Sequence, residues 1–142
     1  RRRLEPLAES LSMTDEPTLM KLSNIQHLYT PIEGTLHEAS GILPLIQNLH
    51  PTPALGGQPR QLAMPYIQEA ELVSRGWYAA PVGWIDYQLN GSFGVAIRSA
   101  VSQNRRVWLY AGGGIVADSE PEKEWAETAL KYKPILNALR GF

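Results

Sequence analysis

Residues 111–131 read AGGGIVADSEPEKEWAETALK, and this stretch governs how the rest of the chain is interpreted. It joins the end of an apolar run to three glycines and an acidic segment with helical spacing. Gly112 to Gly114 carry no Cβ, so their backbone N–H groups can approach a bound anion closely and adopt positive φ. Ser119 followed by Glu122 has the spacing of a capping box. The stretch therefore predicts a binding turn and a helix that begins near Glu120.

The predicted helix carries charged residues on one face. Glu124, Glu127 and Lys131 fall at i, i+3 and i+7, which places them side by side along the helix. A carboxylate pair of this kind can hold a hard divalent cation. The same spacing also fits a solvated face with a single ion pair between Glu127 and Lys131, so spacing alone leaves both interpretations open.

Composition narrows the class of protein. A chain of 142 residues with 44% hydrophobic content can bury a core, and we expect residues 1–142 to belong to one domain. A net charge of -1 argues against binding to nucleic acid or an anionic membrane. The absence of cysteine excludes disulfides, zinc fingers and a cysteine nucleophile. No run approaches about 18 apolar residues, and the opening arginines lead into no apolar signal core, so we expect a soluble, cytoplasmic protein.

The first half of the chain has mixed patterns. Apolar residues at helical spacing over residues 4–11 predict the end of a helix. Partial alternation over residues 18–36 predicts one long strand, or two strands broken at Pro31. A short helix is predicted over residues 42–49, followed by a loop at 50–59 that is rich in proline and glycine.

The second half predicts a helix followed by a meander. Residues 60–72 resume helical spacing, and residues 78–87, 92–101 and 107–110 have the composition of strands. Asn90–Gly91 is a strong hairpin signal between the first two of these strands. The fold class that we predict is therefore α+β, with antiparallel strands packed against helices.

Three side chains are candidates for a site, each with a structural alternative. His27 lies in a predicted strand, where a histidine is usually satisfied by a backbone carbonyl or water. Arg98 follows an apolar run, and it needs an anionic partner if it is buried but faces water otherwise. Tyr78 is either a core residue or a hydroxyl donor in a pocket.

Five ordered motifs run nearly from end to end of the chain. They are IQHLYT at 25–30, LHPTPALGG at 49–57, RGWYAAPVGW at 75–84, VAIRSA at 95–100 and the stretch at 111–131. Together they resemble the C-terminal part of the chorismate-utilising enzymes, and within that family most of all the isochorismate synthases of menaquinone biosynthesis. Five motifs in order are far more specific than any single glycine pattern.

The resemblance implies a Mg²⁺-dependent isomerase that converts chorismate to isochorismate by adding water at C2 as the C4 hydroxyl leaves. It implies that Glu127 ligates Mg²⁺ and that Glu124 lies beside the ion, directly or through water, which suits the few protein carboxylates that Mg²⁺ takes. His27 matches the family histidine beside the substrate ring and is the catalytic candidate in this chain. The implied substrate residues hold the pyruvyl carboxylate, lie near the metal or line the pocket wall: Arg98, Tyr78, Gly112, Gly114, Lys131, Ala54 and Leu55.

Three functional residues of the family have no counterpart in this sequence. The lysine that activates water, the glutamate that protonates the leaving hydroxyl and the first metal-binding glutamate lie upstream of the matched region. We therefore expect this chain, which begins with Arg1, to be the C-terminal part of one chorismate-binding catalytic domain and to be inactive by itself. Its expected partners are chorismate and the N-terminal part of the same polypeptide, and exposed apolar surface predicts self-association.

Other functions fit part of the pattern. Anthranilate and aminodeoxychorismate synthases share the last motif, but these relatives usually carry an SGAPK-like loop where this chain has LGGQPR at 55–60. This difference favours water over ammonia as the nucleophile. A chorismate enzyme of a siderophore or salicylate pathway, or a non-catalytic anion-binding module on the same fold, are the further alternatives.

Overall fold

A computed structural model describes residues 1–21, 26–38 and 40–141. Within these residues, eight strands and four α-helices form the predicted mixture of helices and antiparallel strands. The chain divides into two compact units, Arg1–His50 with Ile85–Ser92, and Pro51–Trp84 with Phe93–Phe142. That all 142 residues belong to one catalytic domain stays a prediction. No helix of the described residues is both long enough and apolar enough to cross a membrane.

The first unit contains two two-stranded antiparallel sheets and one helix. A 3-10 turn at Glu5–Leu7 precedes them. One sheet pairs the first strand with the fourth, and the other pairs the second with the third. The elements are β1 (Ala8–Met13), β2 (Thr18–Lys21), β3 (Gln26–Tyr29), β4 (Ile32–Leu36) and α1 (Leu43–Leu49).

The helix predicted over residues 4–11 is wrong. After the 3-10 turn the chain extends as β1 and pairs with β4, with Leu11 opposite Gly34. Pairing with a distant strand outweighs a weak local helical spacing, because propensity is only a prior that tertiary contacts override. Neither predicted alternative for residues 18–36, one strand or two, is correct, because β2 and β3 pair antiparallel with Thr18 opposite Tyr29 and β4 is a third strand. A break at Pro31 does occur, since β3 ends at Tyr29 and β4 begins at Ile32. Residues 22–25 of the predicted strand lie outside the described residues.

The remaining elements follow in chain order. The strands form two separate two-stranded sheets, β5 with β6 and β7 with β8. The tip of the β5–β6 hairpin, residues 85–92, belongs to the first unit. The elements are α2 (Pro53–Gly56), α3 (Arg60–Ala70), β5 (Pro81–Ile85), β6 (Gly91–Val95), β7 (Ser99–Gln103), β8 (Arg106–Tyr110) and α4 (Pro121–Arg140).

This half departs from the predicted pattern in three ways. The predicted meander of three strands is wrong, because four strands form two separate two-stranded sheets. The run at 92–101 is interrupted after Val95, because Arg98 adopts a left-handed backbone with φ of 49° before β7 begins. The loop at 50–59 contains the helical turn α2, which ends at Gly57 with φ of 71°. A Cβ at Gly57 would lie 2.3 Å from the Cβ of Ala63, so this turn requires glycine both for its backbone and for space.

Few side chains are buried. Ala79, at 5% exposure, is the buried hydrophobic residue of the described chain, whereas Leu72 is fully exposed and Trp77 and Trp125 are largely so. Exposed apolar surface on this scale is typical of faces that pack against other protein. That further polypeptide or another copy covers this surface stays a prediction.

Candidate functional site

The second unit contains a cleft of about 650 Å³, which we call the Tyr78 cleft. Its walls come from α2, from α3 and the segment that follows it, and from the glycine segment 112–114 with the two residues after it. Four predicted site residues line the cleft, namely Ala54, Leu55, Tyr78 and Gly114. Three separate sequence motifs therefore meet at one cavity of the size that holds small ligands.

Tyr78 is fixed in the wall of this cleft by aromatic and backbone neighbours. Its ring stacks on Tyr110 at the end of β8, with centroids 5.9 Å apart and planes 12° apart. An added Cβ on Gly112 would lie 2.4 Å from the Tyr78 hydroxyl. Glycine at 112 is therefore needed to make room for the tyrosine. Gly112, Gly113 and Gly114 are not at positive φ, so close approach and not the backbone conformation explains Gly112 and Gly113. A Cβ on Gly114 would meet no atom within 4 Å, so neither space nor backbone conformation requires glycine there.

The glycine segment also contacts the charged face of α4. The nearest atom to a Cβ built on Gly113 is Oε2 of Glu124 at 3.0 Å, and Lys131 Nζ lies 3.9 Å from it. Lys131 Nζ donates a hydrogen bond of 3.1 Å to the carbonyl oxygen of Gly112. Because Gly113 lines the Tyr78 cleft, the glycine segment connects the cleft to the acidic face of the helix.

Glu127 and Lys131 form the ion pair that their spacing predicts. Lys131 Nζ lies 2.6 Å from Glu127 Oε1, and the lysine side chain is 20% exposed against 58% for the glutamate. The hydrogen bond and charge of Lys131 lower the pKa of Glu127, and Arg98 adds a smaller contribution in the same direction. Glu127 is therefore a firmly ionised carboxylate with only acceptor atoms, which suits a cation ligand.

Replacing Lys131 by Met should raise the pKa of Glu127 toward its ordinary value, because the main cause of the lowering is removed. A lowered folded-state pKa contributes stability above the ordinary pKa and loses it as the pH falls through the lowered value. The variant should lose that contribution. An NMR titration of the glutamate side-chain carboxyl carbons without Mg²⁺ measures the shift. Lys133→Met, on an exposed part of the same helix, is the control, and an unchanged Glu127 pKa in Lys131→Met would contradict the assignment.

The partner of Ser119 is Glu124 and not Glu122, the residue that the capping box predicts. Ser119 Oγ donates a 2.6 Å hydrogen bond to Glu124 Oε1 and accepts one of 3.1 Å from the backbone N–H of Val116. The predicted capping box is therefore wrong, since Glu120 occupies the N-cap and no side chain caps the helix. The predicted start of the helix near Glu120 is confirmed. The hydroxyl of Ser119 donates its hydrogen bond to the Glu124 carboxylate and accepts none from the first backbone N–H groups of the helix.

The donor set fits Mg²⁺ as a partial site. Among the described residues, no group of three or more His, Cys, Asp or Glu side chains could hold a metal ion. Glu124 and Glu127 alone offer two carboxylates one helical turn apart, and Mg²⁺ usually keeps several waters and takes one or two protein carboxylates. These two glutamates could therefore contribute ligands to Mg²⁺ without completing its coordination.

Arg98 is exposed, in the turn between β6 and β7, and not in a strand as its apolar flank predicts. Its φ of 49° is uncommon for a residue with a side chain and costs backbone free energy. The positive charge of Arg98 contributes to the lowered pKa of Glu127. Arg98 therefore interacts electrostatically with Glu127 of α4. Its role in binding a substrate carboxylate stays a prediction.

His27 lies on β3 in the first unit, opposite Met20 of β2, and it is exposed. Its predicted position beside a substrate ring stays a prediction. Arg75, in contrast, lines the Tyr78 cleft but was not among the predicted site residues. Its i,i+4 spacing from Glu71 is that of an ordinary surface ion pair, so spacing gives no signal that Arg75 lines a cleft.

Comparison with known proteins matches residues 1–140 to a family described as chorismate binding enzyme. The chain is 55% identical over 127 residues to isochorismate synthase MenF of Bacillus subtilis, covering 89% of this chain and 27% of that protein. It is 52% identical over 136 residues to the salicylate biosynthesis isochorismate synthase of Pseudomonas aeruginosa, covering 96% of this chain and 29% of the relative.

A solved structure supports the same grouping. A Bacillus anthracis protein assigned as a 2,3-dihydroxybenzoate-specific isochorismate synthase, DhbC, superimposes with a TM-score of 0.90 at 37% identity. The match covers 97% of this chain and 37% of the solved one. The chain thus spans between about a quarter and two fifths of the length of these three relatives. Family match, sequence identity and fold agree, and the chain belongs to the chorismate binding enzyme family.

Proposed function

We propose that this chain is the C-terminal part of a Mg²⁺-dependent isochorismate synthase, an isomerase that converts chorismate to isochorismate. The observation that carries the proposal is the position of the glycine segment. Gly113 lines the Tyr78 cleft, a Cβ on it would meet Glu124, and the carbonyl of Gly112 accepts a hydrogen bond from Lys131 of α4. A dianionic substrate needs a cleft for its ring beside cationic groups for its carboxylates. The similarity to two isochorismate synthases at 55% and 52% identity supports the choice of reaction.

In this proposal the residues of the chain bind and orient the substrate. Arg98 and Tyr78 hold the pyruvyl carboxylate, because a guanidinium fork and a phenol supply donors to a planar anion. Backbone N–H groups of Gly112 and Gly114 add donors, and Ala54 and Leu55 form the wall near the reacting carbons. Lys131 neutralises the charge of the Glu127 carboxylate.

Glu127 and Glu124 are the residues that would hold Mg²⁺. The ion, when bound, supplies positive charge for the ring carboxylate of chorismate. General acid–base catalysis, which adds water at C2 and removes the C4 hydroxyl, we assign to polypeptide outside this chain, with His27 as the one catalytic candidate within it.

The pathway and location are also proposals. We propose menaquinone biosynthesis on the 55% identity to MenF, and cytoplasmic location on the composition. The 52% identity to an isochorismate synthase of salicylate biosynthesis favours that pathway as the second candidate.

The proposal predicts that the complete protein forms isochorismate and that residues 1–142 alone do not. Incubation with chorismate and Mg²⁺, with and without ammonium, followed by chromatography of the products, checks both statements. Isochorismate from the complete protein, with no anthranilate when ammonium is present, is the expected result. Anthranilate would assign the protein to the amine-transferring relatives. Turnover by residues 1–142 alone, near that of the complete protein, would contradict the division of roles.

A further inference from the structure

Arg75 lies in the wall of the Tyr78 cleft with most of its hydrogen-bonding capacity in use. Its Nε donates to both carboxylate oxygens of Glu71, at 2.9 and 2.8 Å, and Nη2 donates to Oε1 at 2.6 Å. Its Nη1 donates to the backbone carbonyl of Leu55 at 2.7 Å. Only 26% of the arginine side chain is exposed.

These contacts join different walls of the cleft. Leu55 belongs to α2, and Glu71 is the residue at which α3 ends. The Arg75 guanidinium carbon also lies 5.9 Å from the ring centroid of Tyr78, within cation–π distance. One side chain therefore contacts α2, the end of α3 and the aromatic wall, all of which line the same cavity.

The pairing with Glu71 also decides what Arg75 can do for a ligand. A bidentate carboxylate partner occupies the guanidinium fork and cancels its charge. To bind a substrate carboxylate, Arg75 would have to release both Glu71 and the Leu55 carbonyl. Arg98 has no such partner carboxylate among the ion pairs of the described residues, and it adopts a strained backbone.

We infer that Arg75 is a positioning residue, which fixes Leu55 and Tyr78 in the chorismate cleft without contacting the substrate. The inference about the substrate rests on the proposed function. The structural part, that Arg75 connects α2 to the end of α3 through hydrogen bonds, does not rest on the proposed function. A lysine cannot replace it, because an ammonium group lacks the planar fork that reaches Glu71 and Leu55 together.

Hydrogen exchange in the complete protein tests, without any substrate, whether Arg75 connects α2 to the end of α3. Arg75→Lys should speed amide exchange of residues 52–58 about tenfold, since it removes a charge-assisted hydrogen bond to α2. Glu71→Gln should act in the same direction, and the double variant should match Arg75→Lys. Arg1→Lys is the matched control, because Arg1 forms the same kind of i,i+4 pair with Glu5 and does not line the cleft. Unchanged exchange of residues 52–58 in Arg75→Lys would overturn the inference.

Kinetics then distinguish positioning from substrate binding. Arg75→Lys and Glu71→Gln should each raise KM for chorismate about fivefold and leave kcat within about twofold, because the wall contacts ground and transition states alike. If Arg75 instead binds the substrate carboxylate, Glu71→Gln frees the guanidinium and lowers KM, which would overturn the inference. A wild-type protein that does not convert chorismate would defeat the proposed function alone, since the exchange experiment still tests that connection.

Discussion

Replacing Glu127 by Gln should lower the Mg²⁺ affinity of the complete protein by about 100-fold or more, because an anionic ligand becomes a neutral one. The lowered pKa of Glu127 keeps its carboxylate ionised throughout the neutral pH range. Isothermal calorimetry with Mg²⁺ measures the affinity, and chorismate turnover at increasing Mg²⁺ gives an independent readout.

The control for this change is Glu122→Gln. Glu122 lies in the first turn of the same helix and is exposed, so the variant removes the same charge without removing the proposed ligand. It should retain Mg²⁺ affinity within about twofold, because a solvated carboxylate at this distance is largely screened. Equal affinities of wild type and Glu127→Gln would end the ligand assignment.

Replacing Arg98 by Gln should reduce kcat/KM for chorismate by about 30- to 1000-fold, the effect expected when a carboxylate loses its charged partner. Arg98→Lys should fall between wild type and Arg98→Gln, because it keeps the charge and loses the fork. Steady-state kinetics over a range of chorismate concentrations measures both effects.

Arg105→Gln is the matched control for Arg98. Arg105 is also exposed and lies in a turn beside a residue with positive φ, Asn104 at 56°. The variant removes one positive charge from a comparable turn, and Arg105, unlike Arg98, is not among the groups that lower the pKa of Glu127. A control that loses as much kcat/KM as Arg98→Gln would show that charge in general, and not the position of Arg98, supports the reaction.

Local patterns predicted the three longer helices of the described residues, but not α2, and they also predicted a helix over residues 4–11, where the chain forms a 3-10 turn and β1 instead. The spacing of apolar residues identified α1, α3 and α4, because each helix carries its own periodic signal, and α1 and α4 also have proline in the first turn. The predicted hairpin between β5 and β6 is confirmed, but Asn90–Gly91 is not its turn, since β5 ends at Ile85 and β6 begins at Gly91. Asp86 holds the turn by accepting backbone hydrogen bonds from Gln88 and Asn90. Signals confined to a few neighbouring residues are readable from sequence.

Features that depend on distant contacts were not predictable in the same way. The strand at Ala8–Met13 forms because Ile32–Leu36 pairs with it. Nothing in the sequence of residues 4–11 identifies that partner. Ser119 has the spacing of a helix cap, yet its hydroxyl donates to Glu124 instead. The first departure arises from a partner far along the chain. The second is local, since Glu124 lies only two residues beyond the expected Glu122 and accepts the hydrogen bond instead.

The site residues likewise divide into those that local spacing brings together and those that it does not. Glu124, Glu127 and Lys131 share a helix face, so their spacing alone brings them together. That Ala54, Leu55 and Tyr78 line one cavity came from the family resemblance and could not come from their spacing, because they belong to different segments. Arg75 was missed because its i,i+4 pair with Glu71 has the sequence of an ordinary surface ion pair, and only the contact with the Leu55 carbonyl gives it a place in the cleft.

Because the backbone of Arg98 is left-handed, selection for stability and selection for ligand binding favour different residues at this position. Holding a residue with a side chain at φ of 49° costs about 1–2 kcal/mol, a cost that glycine avoids. A search for stabilising substitutions would therefore choose glycine at position 98, and the same substitution would delete the guanidinium assigned to chorismate. Engineering of this chain for thermal tolerance should leave that position untouched, since stability and ligand recognition favour different residues there.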